Sequence, residues 1–317
     1  MARHLIYRLA QAALVMLVMS FVVYGLIGLM PGDPVELMMA GSPTITPGDV
    51  ARLKALYGLD QPLVLRYWHW LTMALSGNLG FSRLSALPVI DTLGPPLANT
   101  AALMMSSLAA AMLAALPIGA LAALRHRRPL DHALNLAAFA AISLPVFWLG
   151  LVLIIAFAVG LAWLPASGVE TVGGGGIADR LRHLVLPVSA LALASFGHYM
   201  RYMRAAMIGA LRQDWIRTAR AKGLSWARVV LHHALRNALI PVVTILALDL
   251  GTLFSGVLVT ETVFAYPGMG KLIYDAVMGN DYNLALAGLM LATGLTLFGS
   301  LLADLLYGLL DPRIHFR

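Results

Sequence analysis

Apolar residues in this chain gather in long unbroken runs rather than in the short alternations of a water-soluble fold. Six runs reach the roughly 20 residues that a helix needs to cross about 30 Å of hydrocarbon. They are Leu9–Met30, Thr100–Leu124, Ala133–Trp163, Leu184–Met203, Leu239–Thr260 and Leu284–Leu310. The pattern predicts an all-α polytopic membrane protein with about six transmembrane helices. The first run follows Arg3 and Arg8, outlasts the roughly 7–15 residues of a secretory h-region and leads into Met30-Pro31-Gly32-Asp33 without a small-x-small cleavage site. It is expected to be a retained anchor.

Two polar excursions interrupt the runs, over residues 31–98 and 204–239. In the first, Thr46-Pro47-Gly48-Asp49 supplies an N-cap, an N1 proline and an acidic first turn, predicting a helix to Tyr57 that stops at Gly58. Pro62 opens a second predicted helix that ends before Gly77 and carries Tyr67, Trp68 and Trp70. Those rings fit an interfacial aromatic belt or a contact surface for an outside partner. In the second excursion, Leu211, Trp215, Thr218, Ala219 and Lys222 share one face of a predicted helix, with small residues at its centre. Gly223 ends that helix and Ser225 caps the next, Trp226 to Asn237, which leads toward Pro241. Such an Arg-ringed elbow fits insertion into a groove on another protein. It equally fits a basic loop lying on anionic headgroups.

Composition supports the membrane reading: 60% of residues are hydrophobic and 12% charged, against about a quarter charged in soluble domains. Mean hydropathy is +0.82. The absence of cysteine excludes a disulfide framework, thiolate metal sites and cysteine catalysis. The net charge of +7 is an orientation signal. Of 22 Lys and Arg, 15 fall at the termini, on Arg125, Arg127 and Arg128, and between Arg201 and Arg236, all on one side of the predicted spans. By the positive-inside rule the N- and C-termini and the 204–239 excursion are cytoplasmic, and the 31–98 excursion is extracytoplasmic. No soluble domain carries a basic stretch, so nucleic acid is not an expected partner.

Familiar catalytic signatures are missing. Gly173–Gly176 is the only glycine run and lacks the lysine of a phosphate-binding loop, so it reads as a flexible outer loop. H-E-x-x-H and G-x-S-x-G do not occur. His232 and His233, adjacent on a helix, would point about 100° apart, an arrangement unsuited to one shared metal. Neither catalytic nor metal-ligating residues are therefore expected.

Ionisable groups inside spans are functional candidates because burying them in lipid is costly. Asp249 lies mid-span in the fifth run, lining a pathway or making a structural hydrogen bond; Asp304 in the sixth has the look of a structural group. Two such acids raise the alternative of a stand-alone ion-coupled carrier, although no inverted repeat is evident. Pro117, Pro145, Pro187 and Pro241 permit kinks, and Gly251, Gly256, Gly288, Gly294 and Gly299 mark candidate close helix contacts.

Arg217-Thr-Ala-Arg-Ala-Lys-Gly223 resembles the "EAA" loop, E-A-A-x3-G, of the integral membrane permeases of binding-protein-dependent ABC importers. The form R-T-A-R-A-K-G-L is that of the dipeptide/oligopeptide/nickel branch. Ala219 and Gly223 match the general motif, while Arg217 stands in place of Glu and Thr218 in place of the first Ala. In the downstream I-x-L-P, Leu235 matches, but His233 and Arg236 replace the Ile and Pro, and a proline comes only at Pro241. Met30-Pro-Gly-Asp-Pro34, Glu261-Thr-Val-Phe-Ala-Tyr-Pro-Gly-Met-Gly270, Asp281-Tyr282 and Leu310-Asp-Pro-Arg-Ile314 resemble the branch's other motifs in order. The long excursion after the first span is similar to the B-type permease.

The resemblance implies one transmembrane domain over residues 1–317 in a bacterial inner membrane, carrying small peptides. Nickel or glutathione is the alternative cargo within the family. Its implied partners are a homologous second permease, two cytoplasmic ATPase subunits that bind the ATP and Mg, an extracytoplasmic solute-binding protein, and lipid. No cofactor is implied for this chain, and it would not itself be an enzyme. Asp214, Arg217, Thr218, Ala219, Arg220, Lys222 and Gly223 would form the coupling helix that docks on the ATPases. Asp249, Glu261, Phe264, Pro267 and Gly268 are the candidates for the pathway or its gate.

Overall fold

A computed structural model describes residues 2–29, 48, 52, 60–250 and 253–310. Apart from residues 48 and 52, the expected Thr46–Tyr57 helix lies outside the described residues, as do the Pro31–Pro34 and Asp311–Ile314 motifs. The described chain is helical: α1 (Ala2–Gly28), α2 (Leu63–Leu75), α3 (Val89–Leu124), α4 (Pro129–Ser143), α5 (Val146–Leu153), α6 (Ile177–Leu211) and α7 (Asp214–Ala221) come first. Next, α8 begins at Trp226–Arg228, widens into a π-helical turn over Val229–Ala234 and continues over Leu235–Leu250. Then follow α9 (Leu253–Val263), α10 (Met269–Met278) and α11 (Tyr282–Leu310). Among the described residues five helices are long and apolar enough to cross a membrane, and a bent pair brings the number to six.

That bent pair corrects the third predicted span. Ala133–Trp163 is not one rod, because α4 and α5 meet at 98°. Leu144, forced out of helical geometry by the following Pro145, sits at φ −88°, ψ 128°. After α5 the backbone loosens into a π-helical turn over Ile154–Gly160. Pro187 and Pro241, by contrast, lie inside continuous helices.

Helix ends do not coincide with the edges of the polar excursions. α3 starts inside the first, at Val89, and its 36 residues span about 54 Å, more than the hydrocarbon requires. Of the second, residues up to Leu211 belong to α6 and those from Trp226 onward to α8, leaving only α7 and two turns as an interruption. The fifth run accordingly starts earlier than Leu239, in a helix continuous from Trp226.

The chain divides into two compact units, Met1–Leu97 with Leu272–Leu295, and Ala98–Lys271 with Thr296–Phe316. In the first, α2 runs from Pro62 and its end is marked by Gly77 at φ +87°, as the sequence suggested. Its aromatic residues do not form one belt. Tyr67 is buried, its hydroxyl 2.7 Å from Ser20 Oγ and its ring edge-on to Phe21, while Trp68 is exposed. Amphipathic spacing turns position 67 toward α1 and position 68 away from it. Asp281 holds the 80s loop, accepting from Ser82 Oγ at 2.5 Å, Leu84 N at 3.0 Å and Leu284 N at 3.2 Å.

Among the described residues, three apolar clusters pack the second unit. One joins Leu103, Leu186, Val257, Phe264 and Tyr266; another joins Ala111, Ala115, Ala138, Tyr199 and Met200; the third joins Met203, Met207, Ile216, Ala219, Val229 and Ala234. Small residues let the helices close up: a Cβ at Gly197 would collide with the Ala138 carbonyl.

Candidate functional site: an elbow and a glutamate-clamped loop

α6 stops at Leu211, the chain turns through Arg212 and Gln213, and α7 restarts at Asp214. This restart divides the face read from Leu211, which ends α6, from Trp215, Thr218, Ala219 and Lys222 on α7. Ile216 and Ala219, at i and i+3, are buried against Val229, Val230 and Ala234, whereas Trp215, Thr218 and Lys222 face outward. Gly223 adopts φ +79°, which a residue with a Cβ reaches only with strain. Its N–H bonds Arg220 O at 2.9 Å, and Leu224 N–H bonds Ala219 O at 3.3 Å, closing the C-terminus of α7. Ser225 occupies the expected N-cap position of α8, but its hydroxyl makes no capping bond.

Six of the seven residues expected on the elbow, Asp214, Arg217, Thr218, Arg220, Lys222 and Gly223, are brought together on one exposed surface; Ala219 alone turns inward. Arg217 pairs with Asp214, both more than 80% exposed, a geometry that contributes little to stability. Thr218 Oγ1 donates to Asp214 O at 3.2 Å, and the Arg220 guanidinium lies 5.5 Å from the centre of the Trp226 ring. The elbow thus combines a small apolar footing with a solvent-facing cationic rim.

A polar node that the sequence reading missed secures the helix leading into it. Asp131, only 1% exposed, accepts from Arg204 Nε at 2.6 Å and Nη2 at 2.7 Å, from Arg127 N at 2.9 Å and from Asn135 Nδ2 at 2.8 Å. His126 Nδ1 stands 3.2 Å from Arg204 Nη2. The bidentate pair fastens the turn between α3 and α4 to α6, two turns before the elbow. The available signal was local: Asp131 just inside a proline-initiated helix, with Asn135 one turn on. The partner Arg204, 73 residues away, was not readable.

The second constellation surrounds Glu261, which is fully buried near the end of α9. Its Oε1 accepts from Thr100 Oγ1 at 2.5 Å and its Oε2 from Lys271 N at 3.1 Å. Thr100 Oγ1 in turn accepts from Met269 N at 2.7 Å, and Asn99 Nδ2 donates to Pro267 O at 2.9 Å. Gly268 and Gly270 lie directly against the carboxylate. A Cβ at Gly268 would overlap Oε1, and one at Gly270 would press on Leu258 Cα and sit 3.0 Å from Oε2. The motif's two glycines are therefore the space that the carboxylate occupies. Burial pushes the Glu261 carboxyl above its ordinary pKa, opposed by the donors from Thr100, Lys271 and Gly270. Phe264 and Tyr266, 2% and 1% exposed, anchor the loop in the core.

Of the pathway candidates, Glu261, Phe264 and Gly268 are buried in this one loop, and Pro267 lies exposed on it. Asp249 sits apart from its hydrogen bonds, half-buried on α8 and bonded to the Tyr199 hydroxyl. Among the described residues no group of three or more His, Asp or Glu is placed to hold a metal ion.

The comparisons with known proteins agree with this architecture. Residues 115–316 match the family model of the binding-protein-dependent transport system inner membrane component, and residues 1–90 match that family's N-terminal model. The oligopeptide transport system permease protein AppB of Bacillus subtilis is 37% identical over 318 residues, covering 100% of both chains. The di/tripeptide permease DppB of Pseudomonas aeruginosa is 38% identical and the dipeptide permease DppB of Escherichia coli K12 33%, each covering 94% of both chains. A solved amino acid ABC transporter with histidines shares the fold at a TM-score of 0.51 and 16% identity, over 75% of this chain and 97% of that one. The self-contained ion-coupled carrier is not favoured by these relationships. With its apolar spans, its Arg217–Gly223 elbow and its matches along nearly the whole sequence, the chain belongs to the multi-pass inner-membrane permease components of binding-protein-dependent ABC transport systems.

Proposed function

We propose that this permease carries small peptides and encloses their pathway together with a homologous second permease. Two ATPase subunits supply the ATP hydrolysis, and an extracytoplasmic binding protein delivers the peptide. The observation that supports this best is the end-to-end similarity to permeases named for oligopeptides and dipeptides, with no large segment of the chain left over.

In this reading both termini and the elbow are cytoplasmic, and α7 is the piece that docks on an ATPase. Ile216 and Ala219 seat α7 on the helices behind it, while Asp214, Arg217, Thr218, Arg220 and Lys222 remain available to the partner. Glu261 then acts as the brace of the Phe264–Gly268 loop beside the pathway, and Asp249 contributes a polar group to it.

Because the chain contains no cysteine, single cysteines report cleanly. Thr218→Cys is expected to crosslink to an ATPase subunit in the assembled importer, and Val172→Cys, fully exposed in the loop before α6, is not. Proteoliposomes holding all subunits should take up radiolabelled dialanine only with ATP and only when this chain is present. Uptake by this chain alone, driven by an ion gradient, would sink the proposal.

A further inference from the structure

The first turns of α8 carry a groove of about 560 Å³ that the transport reading does not use. Leu224, Arg228, His232, His233, Arg236 and Ile240 line it. In a regular helix His232 and His233 would diverge. Here they fall within the π-helical turn Val229–Ala234, whose wider winding accompanies the placing of both rings on one groove. Arg228, His232 and Arg236 are exposed, His233 is half-buried, and among the described residues no carboxylate lines the groove.

Position completes the picture. The groove opens at the start of an apolar segment, Trp226–Leu246, that is long enough to cross a membrane. Trp226, half-exposed beside it, has the amphipathic character that settles aromatic rings at headgroup level. Continuing along the same helical face, the cationic stripe gives way to Ile240 and Val243, which are 45% and 39% exposed. Cations at the polar end and aliphatic side chains one to two turns deeper match a phosphate joined to an acyl chain; a free anion would use only the upper half.

We propose that this groove binds the headgroup of an anionic phospholipid, with Arg228 and Arg236 holding the phosphate, the histidines donating to it, and an acyl chain lying along Ile240 and Val243. Each Arg near an anionic membrane surface contributes severalfold to binding, so losing two should weaken retention by about 30-fold.

The test uses the full chain in dodecyl maltoside, with native mass spectrometry counting retained palmitoyl-oleoyl phosphatidylglycerol against phosphatidylcholine. Wild type should retain phosphatidylglycerol preferentially. R228Q/R236Q should lose it by about 30-fold, R228K/R236K should keep most of it, and R125Q/R128Q, an equal loss of exposed charge elsewhere, should match wild type. Thermal unfolding of all variants identifies any that fail through misfolding. Four results would each overturn the proposal: no preference for phosphatidylglycerol, equal loss in R125Q/R128Q, displacement of the lipid by excess inorganic phosphate, or release of the lipid when the second permease binds. The last would assign the groove to a protein neighbour.

Discussion

Replacing Glu261 by alanine removes an acceptor whose donors include Thr100 and Lys271. Thr100 Oγ1–H and Lys271 N–H both point at its carboxylate, at 2.5 and 3.1 Å, and the side chain has no exposed surface through which water could substitute. Each orphaned buried donor costs about 1–3 kcal/mol, so Glu261→Ala should destabilise the chain by about 2–6 kcal/mol. Glu261→Gln is a sharper probe. Its amide oxygen can serve one donor, but its NH2 then faces the other. The Thr100 oxygen, already accepting from Met269 N–H, has limited capacity for it. One unsatisfied donor, about 1–3 kcal/mol, is the expected cost. Unfolding of the purified chain by sodium dodecyl sulfate in mixed micelles, followed by tryptophan fluorescence, measures both variants. A Thr100→Val, Glu261→Ala double-mutant cycle isolates their coupling. If alanine unfolded at the wild-type midpoint, or if glutamine were worse than alanine, the acceptor argument would be refuted.

Other expectations concern the elbow and the polar groups of the spans. Gly223→Val forces a β-branched residue into φ +79° at a cost of about 1–2 kcal/mol, although no neighbour crowds its Cβ; it should uncouple ATP hydrolysis from uptake without preventing membrane insertion, and normal uptake would count against the elbow's role. Asp131→Ala leaves the Arg204 guanidinium without its bidentate partner and should destabilise by about 3–5 kcal/mol, with Arg204→Lys only partly compatible with the site; a detergent melt unchanged from wild type would show the pair to be dispensable. Asp249→Asn should reduce peptide uptake more than Asp304→Asn, and the reverse order in matched proteoliposomes would remove Asp249 from the pathway.

Much of the architecture was legible because lipid solvation writes itself into long apolar runs, and because helix ends between those runs are marked by Pro62, Gly77 and Gly223 acting through local backbone geometry. What escaped was set by register and by distant partners. Trp215 and Ala219 were read on one face, yet in α7, which restarts after Arg212–Gln213, Ala219 packs inward with Ile216 while Trp215 stays exposed. Pro145 was readable as a kink site, but a 98° turn there, against continuous helix through Pro187 and Pro241, depends on packing that no local rule contains. Glu261 stood out within its motif; that its carboxylate fills the space left by Gly268 and Gly270 required coordinates. Asp131 occupies an ordinary first-turn position, and its role depends on Arg204, 73 residues away.

The continuity of α8 has a mechanical consequence. From Trp226 to Leu250 the backbone runs about 37 Å without a loop, through a π-helical turn and past Pro241. Anything that tips the near end by 5° swings the far end by about 3 Å, roughly the width of a water molecule. A joint at residue 239, where polar composition gives way to apolar, would have dissipated that motion; an uninterrupted lever delivers it to the membrane interior.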